Sequence, residues 1–194
     1  MMNRENSSSR AVSAKAKILT SAHTLFYLHG IRATGIDKII EHAGVTKVTF
    51  YRHFPSKNLL ILAYLDYRHT LWMDWFSNTL KQHETSMPDP VEALLSTLCL
   101  WWAQPDFRGC AFLNATAEMS EALPEVEQLT RDHKAAVVAE LATRWSLDDS
   151  ALAAVVMALD GAIMHAQMGY PVERVTGQLR QMLTALLAAA SRSA

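Results

Sequence analysis

The chain has few of the residues that interrupt helices or cross-link small domains: its 194 residues include 7 Gly, 6 Pro and 2 Cys. So little Gly and Pro, together with abundant Ala and Leu, predicts an all-α fold. Cys99 and Cys110 are too few for a disulfide framework, which indicates a reducing compartment. No β-hairpin signal and no glycine-rich phosphate loop occurs, in agreement with that fold class.

Segments that direct a chain to a membrane are also missing. No basic-then-apolar pattern precedes Ser13, and no uninterrupted apolar run reaches about 18 residues. We therefore predict a soluble, cytoplasmic protein with no membrane partner. The sequence contains no His-x-x-x-His or Glu-x-x-His metal pair and no activated-serine motif, so we expect neither a metal nor another cofactor.

Charge is unevenly distributed, although the formal net charge is only −1. Residues 1–60 contain nine Lys or Arg and three Asp or Glu, a balance of +6, and the remaining residues carry −7. Such asymmetry predicts a polyanion-binding segment attached to an acidic body. The alternative is a chance imbalance between solvated faces.

Helical periodicity divides the chain into three predicted parts: a mobile basic arm over 1–12, a small domain over 13–58 and a larger body over 59–194. In the body, a long helix capped by Ser56 is followed by a predicted linker at 85–90, within which Asp89 caps the next helix. The later helices are predicted at 91–104, 112–122, 124–144, 146–167 and 171–190.

The small domain contains the pattern of a DNA-binding motif. Apolar residues at helical spacing predict a first helix over 13–29. Thr34 is predicted to cap a short second helix that ends before Gly44. Thr46 caps a third helix, which stops before Pro55. Two short helices joined by a glycine-containing turn, the second of them basic, are typical of a helix-turn-helix.

The residues of the third helix and its surroundings divide by predicted role. An inward, core-forming face is predicted for Val45, Phe50 and Phe54. Side chains placed to enter the major groove are Lys47, Val48 and His53. Side chains placed to contact phosphates are Thr49, Tyr51 and Lys57. The predicted DNA-binding set is completed by Thr34, Thr46 and Arg52. For His53 the alternative is a solvated helix end, and for Arg52 a general electrostatic contribution.

Residues 18–60 resemble the DNA-binding domain of tetracycline-repressor (TetR) type regulators. The resemblance rests on matched positions at fixed spacing: Ala22, Leu25, Phe26, Gly30, Thr34, Ala43, Gly44, Val45, Tyr51, Phe54, Lys57 and Leu60. It implies about nine helices, a three-helix head, a C-terminal effector domain and a homodimer on a palindromic operator of double-stranded DNA. Val48 departs from the family, which usually has Gly, Pro, Ala or Ser there, and its methyl groups are able to touch a thymine methyl.

An effector pocket is expected in the body, lined by aromatic and Met side chains that suit a hydrophobic small molecule. The candidates are Trp72, Trp75, Trp101, Trp102, Met119, Met164 and His165. Ordinary core packing is the alternative for each of them.

The last two helices are apolar on more than one face, which supports the dimer that the resemblance implies. The candidate interface residues are Leu152, Val156, Leu179, Met182, Leu183 and Leu186.

The resulting prediction is a transcriptional repressor that a small-molecule effector releases from its operator. The alternative is a redox or electrophile sensor acting through Cys110, which follows a glycine near a predicted helix start. A helical enzyme using Asp160, His165 and Cys110 is not expected, because Asp160 and His165 are five residues apart and do not share a helical face. An adaptor or a non-transcriptional DNA-binding protein with the same head is also compatible with the sequence.

Overall fold

The computed structural model describes residues 13–193, and the arm predicted over 1–12 lies outside them. Within the described range the chain forms nine helices and no strand, so the predicted all-α fold is confirmed. The helices are α1 (Ala14–His29), α2 (Ile36–Ala43), α3 (Lys47–His53), α4 (Lys57–Ser86), α5 (Pro90–Trp102), α6 (Ala111–Met119), α7 (Glu125–Ala142), α8 (Asp149–Gln167) and α9 (Val172–Ser193).

Polar side chains begin several helices at the positions that the sequence predicts. Thr46 and Ser56 each accept a hydrogen bond from the backbone N–H three residues further on. Asp89 accepts one from the backbone N–H two residues on, and Pro90 occupies the first position of α5. These contacts satisfy N–H groups that a helix leaves unpaired at its start. The predicted caps at all three positions are confirmed.

Two local predictions are wrong. Thr34 does not cap α2, because the cap position is occupied by Gly35, without a side-chain hydrogen bond. The hydroxyl of Thr34 turns inward instead and donates to the carbonyl of Gly30, 2.7 Å away. The tract at 85–90 is not all linker, because α4 continues to Ser86 and only 87–89 separate it from α5.

The head is formed by α1, α2 and α3, and the first turns of α4 complete its core. Tyr64 of α4 is buried, and its ring lies 5.4 Å from that of Phe26 of α1, edge to face. Leu60 and Ile61, also of α4, are fully buried. Apolar side chains from both sides of position 58 therefore share one core, and α4 belongs to the head and to the body.

The body is a helical bundle around the remainder of α4. This helix packs against α5 and α7, while α6 packs against α7. α8 lies between α7 and α9, and α9 also contacts α5. Among the described helices, α8 is the one long and apolar enough to cross a bilayer by length and composition. It packs against two neighbours and carries Asp160, which is ion-paired with Lys134 of α7, as in a core helix of a bundle.

Candidate functional site

The turn between α2 and α3 depends on Gly44. Its φ of 61° lies in the left-handed region, which a residue with a side chain rarely adopts. The backbone N–H of Gly44 bonds to the carbonyl of Glu41, which closes α2 within one residue. A side chain at this position would meet no neighbour within 4 Å, so the requirement for glycine comes from the backbone alone. The turn fixes the angle between the two short helices.

One face of α3 is anchored in the core of the head. Phe50 is fully buried, and its ring centroid lies 6.4 Å from that of Phe54, which is also buried. Val45, just before the helix, packs partly buried against the same core. The predicted inward face is therefore confirmed. Burial of an aromatic side chain of this size contributes roughly 1.5–3 kcal/mol, enough to hold a seven-residue helix that would not form alone.

The opposite face of α3 points into solvent. Val48 is 71% exposed and Tyr51 is 41% exposed, and Lys47 and Arg52 are exposed beside them. Lys47 and Tyr51 are four residues apart, as are Val48 and Arg52, so these side chains form a single stripe along the helix. Basic, aromatic and aliphatic groups on one free helix face are the groups with which proteins contact phosphates and base edges.

Two neighbours of this stripe are less free. Thr49 is half-buried, and its hydroxyl lies 2.9 Å from that of Thr46, the residue that caps the helix. His53 is half-buried in the last turn. Lys47 forms an ion pair of 3.4 Å with Asp37 of α2, but both side chains are largely exposed. Such a surface pair is worth less than about 1 kcal/mol and can exchange for a phosphate contact.

Lys57 holds the loop that follows α1. Its Nζ donates to the carbonyl of Ile31 at 2.6 Å and lies 5.9 Å from the ring centroid of Phe26. Partial burial lowers the pKa of Lys57, and the nearby carboxylate of Glu118 opposes that shift. The side chain is only half-buried, so its contact with phosphate stays a prediction, now combined with a structural role.

The predicted DNA contact of the Thr34 side chain is wrong. Thr34 is fully buried, and its hydroxyl faces the carbonyls of Gly30 and Leu25 at 2.7 and 3.2 Å. Its role is to tie the loop after α1 to the end of that helix.

Polar contacts that the sequence did not predict join the head to the body. The phenol of Tyr27 donates to the carbonyl of Gly109 at 3.1 Å and accepts from the backbone N–H of Arg108 at 3.0 Å. The carboxylate of Glu118, near the end of α6, accepts from the backbone N–H of Arg32 at 2.8 Å. The two residues of each pair are more than 80 positions apart in the chain, so no local sequence pattern predicts these contacts. They connect the two ends of the α6 region with α1 and its following loop.

A narrow cavity lies in the core of the body, between α4, α5, α6, α7 and α8. Its free volume is about 20 Å³, roughly the space of one water molecule. Aromatic rings crowd one wall: Trp72 stacks on Phe76 at 4.7 Å and meets Trp101 edge to face at 5.3 Å. The ion pair between Lys134 and Asp160 lies on the opposite helices. The cavity thus combines apolar walls with a few charged groups.

A histidine pair lies at this cavity: His133 is buried and lines it, and the half-buried His69 contacts His133. The Nδ1 atoms of His133 and His69 lie 3.1 Å apart, and His133 stacks on Phe112 at 3.9 Å. Burial, together with the charges of Lys134, His69 and Arg68, lowers the pKa of His133 to about 3. His133 is therefore neutral at physiological pH, with one ring nitrogen that donates and one that accepts.

Comparison with known proteins agrees with this arrangement. Residues 18–64 match the family model described as "Bacterial regulatory proteins, tetR family". The chain is 33% identical to a TetR-family transcriptional regulator from Streptomyces coelicolor whose crystal structure is known; the match covers 92% of this chain and 96% of that one, with a TM-score of 0.74. The chain belongs to the TetR family of transcriptional regulators.

Two further relatives illustrate the range of the similarity. A putative TetR regulator from Streptomyces avermitilis is 25% identical over 93% of this chain and 99% of its own, with a TM-score of 0.73. The transcriptional regulator RutR of Escherichia coli is 42% identical over 66 residues, which are 34% of this chain and 31% of RutR. This chain therefore spans about a third of the length of that curated relative.

The predicted effector residues of this TetR-family protein separate into three groups. Trp72 and Trp101 line the core cavity, and Trp75 joins them around a more open outer pocket. Residues that are buried but do not line the core cavity are Trp102 and Met119, for which the alternative of core packing applies. The prediction for Met164 and His165 is wrong, because both are exposed on the outer face of α8.

The predicted interface residues divide in the same way. Residues that are buried inside their own chain are Leu152, Val156, Leu179 and Leu183, although Leu179 also lines the surface groove between α8 and α9. The prediction is wrong for Leu152, Val156 and Leu183, which pack in the core of the bundle, whereas for Leu179 it stays a prediction. Met182, which is 51% exposed, and Leu186 line an open apolar groove between α8 and α9 together with Met157, which is 74% exposed.

The structure does not favour the sensing or enzymatic uses of Cys110. Its thiol is buried in the wall of the cavity, where the Nζ of Lys134 lies 3.6 Å away. Asp160 is engaged by the same lysine, whereas His165 lies on the exposed face and stacks on Tyr170 at 5.0 Å. Cys110, Asp160 and His165 therefore do not form one constellation.

Proposed function

We propose that this regulator is a cytoplasmic, homodimeric repressor that binds palindromic operator DNA and leaves it when a small apolar effector enters the body. The observation that carries the DNA-binding part is the solvent-facing stripe of α3, presented by a helix whose other face is fixed by Phe50. A rigid head with a free, basic helix face is suited to insertion into a major groove.

The side chains of the stripe and the neighbouring Thr49 differ in the contacts that they can make with DNA. Lys47 and Arg52 contribute charge and hydrogen bonds, and Tyr51 and Thr49 donate to phosphate oxygens. Val48 cannot form a hydrogen bond through its side chain, so its contribution is an apolar contact with a thymine methyl. The pattern of contacts predicts that specificity at one base position depends on Val48, while affinity depends on its neighbours.

The groove between α8 and α9 supports the dimer. Two large, exposed methionines, Met157 and Met182, flank small residues there, and an exposed apolar patch of this kind usually marks an interface. A two-fold contact through this groove would pair α8 and α9 of one protomer with those of its partner. Two heads related by that axis would reach half-sites about 34–36 Å apart.

Effector release follows from the contacts of the α6 region. Cys110, Ala111 and Phe112 line the cavity, while Arg108, Gly109 and Glu118 contact the head. A ligand that requires a wider cavity favours a conformation in which these contacts change. Because the contacts position the heads, the ligand shifts the population toward conformations with a different distance between the two heads of the dimer.

The deciding experiment is selection of binding sites from fragments of the source organism's genomic DNA with the full chain, followed by footprinting of the selected site. We expect an inverted repeat protected on both half-sites, beside genes whose products suggest the effector. A site without two-fold symmetry would refute the dimeric repressor. An adaptor or a non-transcriptional DNA-binding protein would select no footprint near promoters.

A further inference from the structure

Two hydrogen-bond donors lie on one face of α4 and border the core cavity. Arg68 and Trp72 are four residues apart, which places their side chains one helical turn from each other. The indole N–H of Trp72 is buried and has no hydrogen-bond partner among the residues that the structure describes. Buried N–H groups nearly always have an acceptor, so an orphaned one on a cavity wall indicates a missing partner.

Arg68 is a cation that contacts the uncharged side chains of His23 and Tyr27. One guanidinium nitrogen lies 3.3 Å from Nε2 of His23, and the guanidinium carbon lies 4.1 Å from the ring centroid of Tyr27. Burial lowers the pKa of His23 to about 4, helped by Arg68 itself and opposed by Asp106, so this imidazole is neutral. None of the ion pairs formed within residues 13–193 includes Arg68.

The other charges at the core cavity cancel. Lys134 and Asp160 neutralise each other in their ion pair. His133 is neutral, because burial and nearby positive charges lower its pKa, and it lines the same cavity as Arg68. The remaining walls are apolar, with large contributions from Phe76, Leu98, Phe112, Leu159 and Ile163. The cavity therefore has one unpaired positive group in apolar surroundings.

Space for a ligand exists next to this cavity. An outer pocket of about 300 Å³ shares Arg68, Trp72 and Trp101 with the core cavity. The two tryptophans meet edge to face and form the partition between the two spaces. Displacement of either ring joins them into a site of the size that small-molecule ligands occupy. Asp106 lines the outer pocket and is exposed, so its charge disfavours an anionic group at the outer end of the joined site.

We propose that this joined site binds a small aromatic molecule that carries one carboxylate. The carboxylate accepts hydrogen bonds from the Arg68 guanidinium and from the indole N–H of Trp72, and the aromatic body occupies the space opened at the tryptophan partition. Hydrogen bonds to a charged group in apolar surroundings are stronger than neutral ones, which gives the site its preference for an anion. The inference rests on the proposed function in treating this cavity as the effector site.

Calorimetric titration of the full chain with three matched probes tests the proposal: 1-naphthoate, 1-naphthamide and 1-naphthylmethylammonium. We expect the carboxylate to bind at least about tenfold more tightly than the amide, and the ammonium to bind weakest. Arg68→Met should bring the ratio between carboxylate and amide close to one. Trp72→Phe, which keeps an aromatic ring but removes the N–H, should lower the same ratio in part. Arg131→Met removes an exposed cation on α7 and should leave the ratio unchanged.

The ratio separates a lost contact from a damaged fold, because a folding defect weakens both probes alike. Equal binding of the carboxylate and the amide, no binding of any probe, or an unchanged ratio in Arg68→Met would overturn the proposal. A carboxylate that binds with the expected preference, but leaves selected operator DNA bound, supports the ligand class and refutes its role in release. Failure of the chain to bind DNA at all would refute the proposed regulator without changing the calorimetric result.

Discussion

The backbone N–H of Arg32 donates to the carboxylate of Glu118 at 2.8 Å, so a residue near the end of α6 holds the loop between α1 and α2. The same carboxylate raises the pKa of Lys57, against the larger effect of burial. A side chain on Gly30 would press against Glu118, with its first carbon 3.2 Å from a carboxylate oxygen. One acidic residue of the body thus contacts or influences three positions of the head.

Glu118→Ala should loosen this junction. Loss of the acceptor leaves the Arg32 N–H unpaired, and we expect the free energy of unfolding to fall by about 1 kcal/mol. Urea denaturation measures this change, with Glu121→Ala as the control because Glu121 is exposed just beyond α6. Equal stability of the two variants would show that the hydrogen bond contributes nothing. Glu118→Gln keeps an acceptor oxygen and should retain most of the stability.

Val48→Ala should change specificity without changing stability. Val48 is 71% exposed, so its loss creates no cavity, and Tm should stay the same. At the base position that it contacts, discrimination should fall by about 1 kcal/mol. Replacing thymine by uracil at that position removes the methyl group from the DNA side. If the contact exists, the uracil operator weakens binding of the wild type but not of Val48→Ala, as fluorescence anisotropy would reveal.

Lys57→Met should weaken binding to all DNA sequences similarly. Removal of one phosphate contact makes the negative slope of log K against log salt shallower by about 0.9. The variant also loses the hydrogen bond to Ile31, so its stability must be measured in parallel. Lys81→Met is the matched control, since Lys81 is exposed on the body part of α4. A salt slope equal to that of the wild type would exclude a phosphate contact for Lys57.

His133 makes stability depend on pH in a defined window. Its pKa is about 3 in the folded protein and about 6.5 when unfolded, so the unfolded chain binds the extra proton between these values. The stabilisation is fully present above pH 6.5 and is lost progressively as pH falls toward 3. At pH 5 the loss from this residue is about 2 kcal/mol.

The corresponding variant is His133→Gln. Its free energy of unfolding should fall less steeply between pH 7 and pH 5 than that of the wild type, because the group that gains a proton on unfolding is gone. The matched control is His29→Gln, a substitution of an exposed histidine at the end of α1. Parallel curves for the wild type and His133→Gln would contradict the assignment.

Met182→Glu should produce monomers. Met182 lies in the apolar groove between α8 and α9, and two carboxylates facing each other across a two-fold axis would repel. Light scattering after size-exclusion chromatography measures the mass in solution. Leu59→Glu, another exposed apolar residue but in the first turn of α4, should remain dimeric. A Met182→Glu protein that stays dimeric would place the interface elsewhere.

The head could be predicted closely because its signals are local. A capping Thr46, a Gly44 turn and an inward Phe50 lie within seven residues, so periodicity and capping define the motif directly. Thr34 was misassigned for a local reason too. A hydroxyl can cap a helix or bond to a carbonyl behind it, and only the path of the loop decides between them.

The body was harder to predict for a physical reason. α8 packs against α7 on one side and α9 on another, so apolar residues occur around most of its circumference. Periodicity then cannot separate the buried Val156 from the exposed Met164 and His165. The contacts of Tyr27 and Glu118 join residues that are more than 80 positions apart in the chain, so they depend on how the helices are arranged in space. Arg68 was not recognised as part of the cavity for the same reason.

Because α4 supplies Leu60, Ile61 and Tyr64 to the core that Phe26 begins, the DNA-binding part is not a detachable module. A fragment ending at residue 58 would expose the apolar faces of α1 and α3 and should not fold by itself. The same helix has 30 residues and is therefore about 45 Å long. A tilt of about 5° around its body end would carry the head through about 4 Å, roughly a tenth of the half-site spacing. A small tilt of α4 produced at the tryptophan partition would therefore become a larger displacement of the head.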